Sequence, residues 1–407
     1  MYLLALLLGG VATSFMPFSY IYLLALNIYM MLCSRKNYML LFVAFVILLC
    51  DYSVVYAIYI HFTSDAFINI ISQSNHITSL NLLVLFNALL FVCFKWERIG
   101  ALPQQNLFMC SDKCSRAVPI VLILLLLYIF FRGYSAPEEI GGRGESSSMY
   151  EYSSILFILY FFYCGNERIY RRIGLFLVIC FSGKSFLYGG RIEGIQFILV
   201  AFFMLYAYKT NIKLASVGIL LMFVLMSIVG SVRGSLLQGN FDLAQIVGSI
   251  FEGGLALDTS YYAYYASEAS VYALGVVSPN EVWTSFVDFV KGIFVGANPE
   301  TLLPTISNRY VSHQGGCFLP FTFYFYMRSF GVLLITLLLS YYLSIVKNVR
   351  ASSSGFKKCF AVWIVCSVFR WYIYSPAPLL RGALLFVLFF FFVGLLNKPE
   401  RILSFSR

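Results

Sequence analysis

Residues 38–60 read YMLLFVAFVILLCDYSVVYAIYI. A single carboxylate, Asp51, interrupts this run, and Arg35-Lys36 stand just ahead of it. At about 1.5 Å of rise per residue, such a run covers about 30 Å as a helix, the hydrocarbon thickness of a bilayer. The rest of the chain repeats the pattern. Of 407 residues, 60% are hydrophobic and 11% charged, with mean hydropathy +0.83, whereas a soluble domain is roughly 45–50% apolar and about 25% charged. Disorder and disulfide scaffolds each need a composition this chain lacks.

Working outward from that run, apolar stretches predict spans over 2–16, 18–33, 38–60, 77–95, 117–131, 152–165, 173–182, 191–208, 214–230, 321–346, 359–375 and 382–397. The fold class expected is all-α: a polytopic transmembrane bundle of about twelve spans forming one integral domain, 1–407. The first pair divides only at Pro17, and 173–182 is too short for an upright crossing. Met1 leads straight into apolar sequence with no basic n-region, so no cleavable signal is expected.

Orientation follows from the Lys/Arg bias of short loops. Placing Arg35 and Lys36 inside puts 18 of the 28 cations there with only 4 of the 18 acids. The net charge of +10 therefore reads as orientation and attraction to anionic lipid, without nucleic acid as a partner. Cys317 alone among ten cysteines falls in an outer loop, and Cys110 and Cys114 have no second Cys/His pair near them, so neither a disulfide framework nor a zinc site is expected.

One outer loop, 231–320, is much longer than the others. Within it Phe241–Phe251, Asp258–Leu274 and Glu281–Phe294 have helical apolar spacing that suits helices lying at the interface. Tyr261 and Tyr262, with Tyr264, Tyr265 and Tyr272, serve either as headgroup anchors or as rings that stack on sugar. The Gly141-Gly142-Arg143-Gly144 loop reads as a flexible connection.

Outer cations run against the orientation bias and so mark candidate anion ligands. In Ser182-Gly-Lys-Ser-Phe-Leu-Tyr-Gly-Gly-Arg191, Lys184 precedes Gly190-Arg191, which opens a helix; its free N–H groups beside a guanidinium would hold an anion. The Gly-Lys-Ser piece is not a nucleotide loop, since Val178 occupies the position where a P-loop has glycine. Arg233 lies just past another span. Arg309 and His313, four residues apart, would share a face if that piece is helical. His61 and His76 flank an outer loop and have no special role in this reading. Arg328 and Arg370 either bind substrate or pair with Asp51, and Arg381 snorkels.

These features together resemble the Wzy-type O-antigen polymerases: many spans, Gly-Gly-Arg entering a mid-chain helix, a long penultimate outer loop, and a His-containing Gly-rich segment running into Ser329-Phe-Gly-Val-Leu333. The resemblance implies a GT-C-like membrane fold in the bacterial inner membrane, with the site facing the periplasm. It implies polymerisation of undecaprenyl-diphosphate-linked oligosaccharide repeat units, donor and acceptor both lipid-linked, without metal or other cofactor. A chain-length regulator protein would be a further partner. By that similarity Arg191, Arg233, Arg309 and His313 are the catalytic candidates, His313 as base, with Glu193, Asp258 or Asp288 as substitutes. Lys184, Gly190, Arg328, Tyr261 and Tyr262 would contact substrate. O-antigen ligases share the layout, and a lipid-linked oligosaccharide flippase is the rival from another class.

Overall fold

The computed structural model describes residues 8–9, 16–56, 58, 73–101, 115–137, 144–165, 167–207, 214, 217–218, 221, 257–311, 313 and 316–397. It is helical throughout. In chain order the helices are α1 Met16–Ser34, α2 Tyr38–Tyr56, α3 Gln73–Phe94, α4 Ala117–Arg132, α5 Ser148–Tyr163, α6 Arg168–Leu187 and α7 Arg191–Leu205. There follow α8 Leu257–Val276, α9 Pro279–Phe294, α10 Leu303–Asn308, α11 Leu319–Lys347, α12 Gly355–Cys366 and α13 Ala377–Leu396, with a π-helical turn at Arg370–Tyr374 before the last. No strand occurs among the described residues; Tyr134 and Ser146 form an isolated antiparallel bridge. Tyr38–Val55, Ser74–Arg98, Leu319–Lys347 and Ala377–Leu396 are long and apolar enough to cross a membrane, and the protein is membrane-embedded. Most of the expected spans 2–16 and 214–230, together with His61, Cys110, Cys114, Arg143 and Arg233, lies outside the described residues.

Two compact units divide the chain. One holds α1–α3, α8–α11 and residues 367–381, and the other holds α4–α7, α12 and the chain from Gly382. In the second unit the core is aromatic. Phe181 of α6 lies 5.1 Å from Tyr150 and 5.0 Å from Phe157, both on α5, and 5.3 Å from Phe197 of α7. The expected ten-residue span 173–182 is corrected here: α6 runs twenty residues, through Arg171 at one end and Lys184 at the other. Both charges are accommodated by backbone carbonyls. Arg171 donates to Gly165 O, and Lys184 donates to Phe130 O in the last turn of α4, where carbonyls lack helical partners.

In the first unit, the described side chains of the stretch 258–274 that was expected at the interface are mostly buried. Ala266, Ser267, Glu268, Ala269, Ser270, Ala273 and Leu274 of α8 are all buried, and α8 packs against α2, α3, α10 and α11. Its small side chains let neighbouring backbones close in from several sides. α9 does show the expected amphipathic pattern. Phe289 is buried and sits 5.3 Å from Tyr326 of α11, while Trp283, Val290 and Phe294 form an exposed apolar stripe, the outer two at 65% and 68%.

α11 is broken at Arg328, whose backbone adopts φ 55° and ψ −146°. The part beyond the break, Ser329–Lys347, is roughly 28 Å long and matches a bilayer's hydrocarbon by itself. The shorter part, Leu319–Met327, packs with α8 and α10 in a cluster of Ala273, Leu274, Leu303, Ile306, Cys317 and Phe325. Gly331 makes the break compact, because a Cβ there would run into the carbonyl oxygen of Phe323. Gly331→Ala should therefore force the two parts of α11 apart and destabilise the protein by about 1–3 kcal/mol. A thermal melt of the detergent-purified variant measures this; an unchanged midpoint would mean the break does not depend on that contact.

Candidate functional site

α10 is a short helix with a proline at its start and a sharp turn at its end. Its N-terminal turn contains Pro304, and the helix stops at Asn308, so Arg309 and His313 do not share a helical face. They point to different surroundings. The His313 backbone N–H donates to Asn308 Oδ1 at 2.7 Å, turning the chain back on the helix, and the imidazole Nε2 lies 2.7 Å from Ser307 Oγ. His313 is 7% exposed. The Ser307 hydroxyl also lies 3.2 Å from the Pro304 carbonyl, and when it donates there Nε2 is the protonated nitrogen facing it. Beneath them Cys317 is fully buried, and that burial pushes its thiol up to about 12, which keeps it an un-ionised packing group.

Arg309 faces outward and its charge is already matched. Nη1 donates to Glu281 Oε1 at 2.8 Å and Nη2 to the Glu300 carbonyl at 3.1 Å, tying the start of α9 to the turn before α10. Next to this staple, Asp288 accepts from Thr301 Oγ1 at 2.6 Å and from Lys291 Nζ at 3.2 Å. The Thr301 hydroxyl and then the Lys291 ammonium hold the Asp288 carboxyl below the usual carboxylate range. Because it titrates lower in the folded chain, its stabilisation is complete above the ordinary value of ~3.9 and is lost as pH falls through the lower folded value. The difference in melting midpoint between wild type and Asp288→Asn should thus stay constant from about pH 8 to about pH 5 and shrink below about pH 4. A gap that widens on acidification would refute the assignment. Asp288 is committed to this staple, and Asp258 has no described side chain.

Arg328 differs from Arg309. It is exposed, its guanidinium lies 5.9 Å from the ring centroid of Tyr324, and no carboxylate accompanies it among the described residues. Its backbone lies near a region that glycine occupies and other residues avoid, at a cost of about 1–3 kcal/mol. Arg328 is thus an exposed cation on a strained backbone at the start of a membrane-length segment.

In the second unit, Gly189 and Gly190 have a role other than the one their sequence suggested. Gly190 N donates to Ser185 O at 2.7 Å and Gly189 N to Phe186 O at 3.3 Å, with Gly189 at φ 88°. This is a Schellman closure of α6. Gly190 is then the N-cap of α7, and a Cβ on it would stand 2.6 Å from the Tyr134 hydroxyl and 2.8 Å from Glu193 Oε2. Glu193, 3% exposed, thus folds back over the start of its own helix. The electropositive helix end that Gly190-Arg191 was expected to offer to an anion is met by a carboxylate of the chain itself. Lys184 is likewise occupied with Phe130 O, and with the rings of Phe130 and Tyr188 at 5.0 and 5.5 Å. Arg191 belongs to this unit, while Arg309, His313 and Arg328 belong to the first. The side chains of Tyr261 and Tyr262 are outside the described residues, although α8 includes their backbone.

Two buried acids in the first unit went unread as sites. Glu268 of α8 is 0% exposed, neither carboxylate oxygen accepts a hydrogen bond, and Oε2 lies 3.3 Å from His76 Nδ1 of α3. A Glu inside a small-residue run was the available signal. Asp51 accepts from Asn27, Asn87 and Tyr372, so its partners are neutral donors and the ion pair with Arg328 or Arg370 is not formed. No protein-family model, curated protein or solved structure matches this chain.

Proposed function

We propose that this protein lengthens glycans on a polyisoprenyl diphosphate carrier, as a polymerase of lipid-linked oligosaccharide repeat units in the bacterial inner membrane. The observation that carries this reading is Arg328: an exposed guanidinium without a carboxylate partner among the described residues, roughly 28 Å along α11 from Lys347. A diphosphate tethered to a membrane lipid is the anion found at that depth, and a planar guanidinium can take two of its oxygens at once. In the reaction, a hydroxyl of the acceptor repeat unit attacks the anomeric carbon of the donor glycan. The bond from that carbon to the carrier diphosphate breaks, the diphosphate leaves with the electron pair, and the hydroxyl proton passes to the His313 imidazole. Arg328 would steady the charge that grows on the leaving diphosphate. The about twelve-span, GT-C-like arrangement and a long periplasmic loop carrying α8–α10 belong to this proposal.

The test is direct. Purified protein incubated with lipid-linked repeat units should yield a ladder of lengthened products on the carrier. Transfer of finished polymer to lipid A core would show a ligase instead, and no glycan product at all would remove the reading. Buried Asp51 and Glu268 favour a second reading, a cation-driven flippase for the same lipid-linked glycans. Proteoliposomes that translocate these lipids without lengthening them would establish it.

A further inference from the structure

Helices α1, α2, α3 and α8 contain neither Lys nor Arg. Asp51, at 1% exposure within α2, therefore has no fixed positive charge on these four helices, and the cation nearest in sequence to its partners is Arg370, two residues from Tyr372 in the π-helical turn. Its Oδ1 accepts from the Tyr372 hydroxyl at 2.8 Å, and its Oδ2 accepts from Asn27 Nδ2 at 3.0 Å and Asn87 Nδ2 at 2.7 Å. All three donors are neutral, and an uncompensated carboxylate in a membrane interior is costly.

The two asparagines are the second observation. Asn27 and Asn87 are 1% and 0% exposed, yet the Oδ1 of each makes no hydrogen bond. The cluster thus has more acceptors than donors. The oxygen and nitrogen of an amide exchange places by a half-turn about the last side-chain bond. With both amides turned, Asn87 gives up its 2.9 Å bond to the Leu83 carbonyl, and oxygens from α1, α2 and α3, the freed Leu83 carbonyl among them, converge where the nitrogens now stand, 2.7–3.0 Å from Asp51 Oδ2. An all-oxygen set with one negative charge matches a small hard cation of charge +1. A narrow cleft with room for about one water molecule runs between α1 and α2, lined by Tyr20, Asn27, Asp51 and Tyr52, so Asn27 and the carboxylate border on it together.

We propose that Asp51, Asn27 and Asn87 bind one monovalent cation, sodium or a proton, between α1, α2 and α3. The site goes beyond glycan transfer and does not depend on it. As a proton site it needs no movement of heavy atoms: once the Tyr372 O–H rotates away, a carboxylic O–H at Oδ1 would donate to the Tyr372 oxygen along the existing 2.8 Å contact. Other titratable or charged groups on the surrounding elements include Tyr20, Tyr22, Tyr29 and Cys33 of α1, Tyr38, Cys50, Tyr52 and Tyr56 of α2, Cys93 of α3, the His76–Glu268 pair of α3 and α8, Arg370 beside Tyr372, and Arg328, Lys347 and the tyrosines of α11.

The experiment uses the full chain in detergent and reads the melting midpoint and ²²Na⁺ binding. At pH 8 and fixed ionic strength, sodium chloride replaces choline chloride; in parallel, pH is lowered from 8 to 5 in choline chloride alone. A sodium site gives a saturable rise of about 3 °C or more, not reproduced by choline, with one ²²Na⁺ bound per chain. A proton site gives that rise on acidification and no sodium response. Asp51→Asn should abolish whichever response the wild type shows. Should that variant fail to fold, Asn87→Ala and Asn27→Ala decide, each expected to weaken the response at least tenfold. A wild type indifferent to both ions, or variants that keep its full response, would overturn the proposal.

Discussion

Replacing Arg328 with glycine is expected to make the protein more stable and inactive at once. The φ of 55° and ψ of −146° at this position approach a region open to glycine and closed to a residue with a Cβ. Relief of that strain is worth about 1–3 kcal/mol. Against it stand about 0.5–1 kcal/mol for the lost contact with Tyr324 and a similar amount for glycine's greater freedom in the unfolded chain. Relief wins by a small margin, so the melting midpoint should rise by a degree or more. Extension of lipid-linked repeat units should fall about 10²- to 10³-fold, the usual effect of removing one preorganised charge contact. Arg328→Lys keeps the strain and the charge but loses the planar fork, and should fall between the two. An Arg328→Gly protein that still builds a full ladder would remove the observation on which the functional reading rests.

The second large effect is expected at His313. Alanine there should slow extension about 10²- to 10⁴-fold per folded molecule, the range for a positioned base. Ser307→Ala is the informative companion, since it leaves the imidazole in place and removes only the hydroxyl 2.7 Å from Nε2. It should cost much less, about tenfold, through looser positioning. If His313 merely packs, His313→Ala will lower the melting midpoint and leave the rate per folded molecule unchanged. Both quantities come from the same purified sample, so neither result can be mistaken for the other.

The helices were legible in the sequence wherever apolar residues were continuous, as over α2, α3 and α13. α6 was read too short because Arg171, Arg172 and Lys184 look like span ends, and only the fold supplies the carbonyls that accept Arg171 and Lys184. α8 was read as interfacial from its apolar spacing and aromatics, although Ala266, Ser267, Ala269, Ser270 and Ala273 already carried the small-residue pattern of a closely packed helix. Gly189-Gly190 announced a helix boundary correctly. Which helix it serves depends on hydrogen bonds back to Ser185 and Phe186, and those are invisible to a motif. The pairing of His76 with Glu268 joins residues far apart in the chain, and no local spacing encodes it. The break at Arg328 had no proline to mark it; Gly331, three residues on, was the faint trace.

The exposed stripe of α9, Trp283, Val290 and Phe294, lies opposite Phe289, which grips Tyr326 in the short part of α11. In the interfacial placement that the proposal requires, that stripe would sit among acyl chains and the helix would act as a float attached to α11. The lateral pressure of the leaflet would then bear on the same piece of chain that positions Arg328. A stiffer or thicker bilayer would press on that float, so membrane composition becomes a mechanical input to the protein's chemistry.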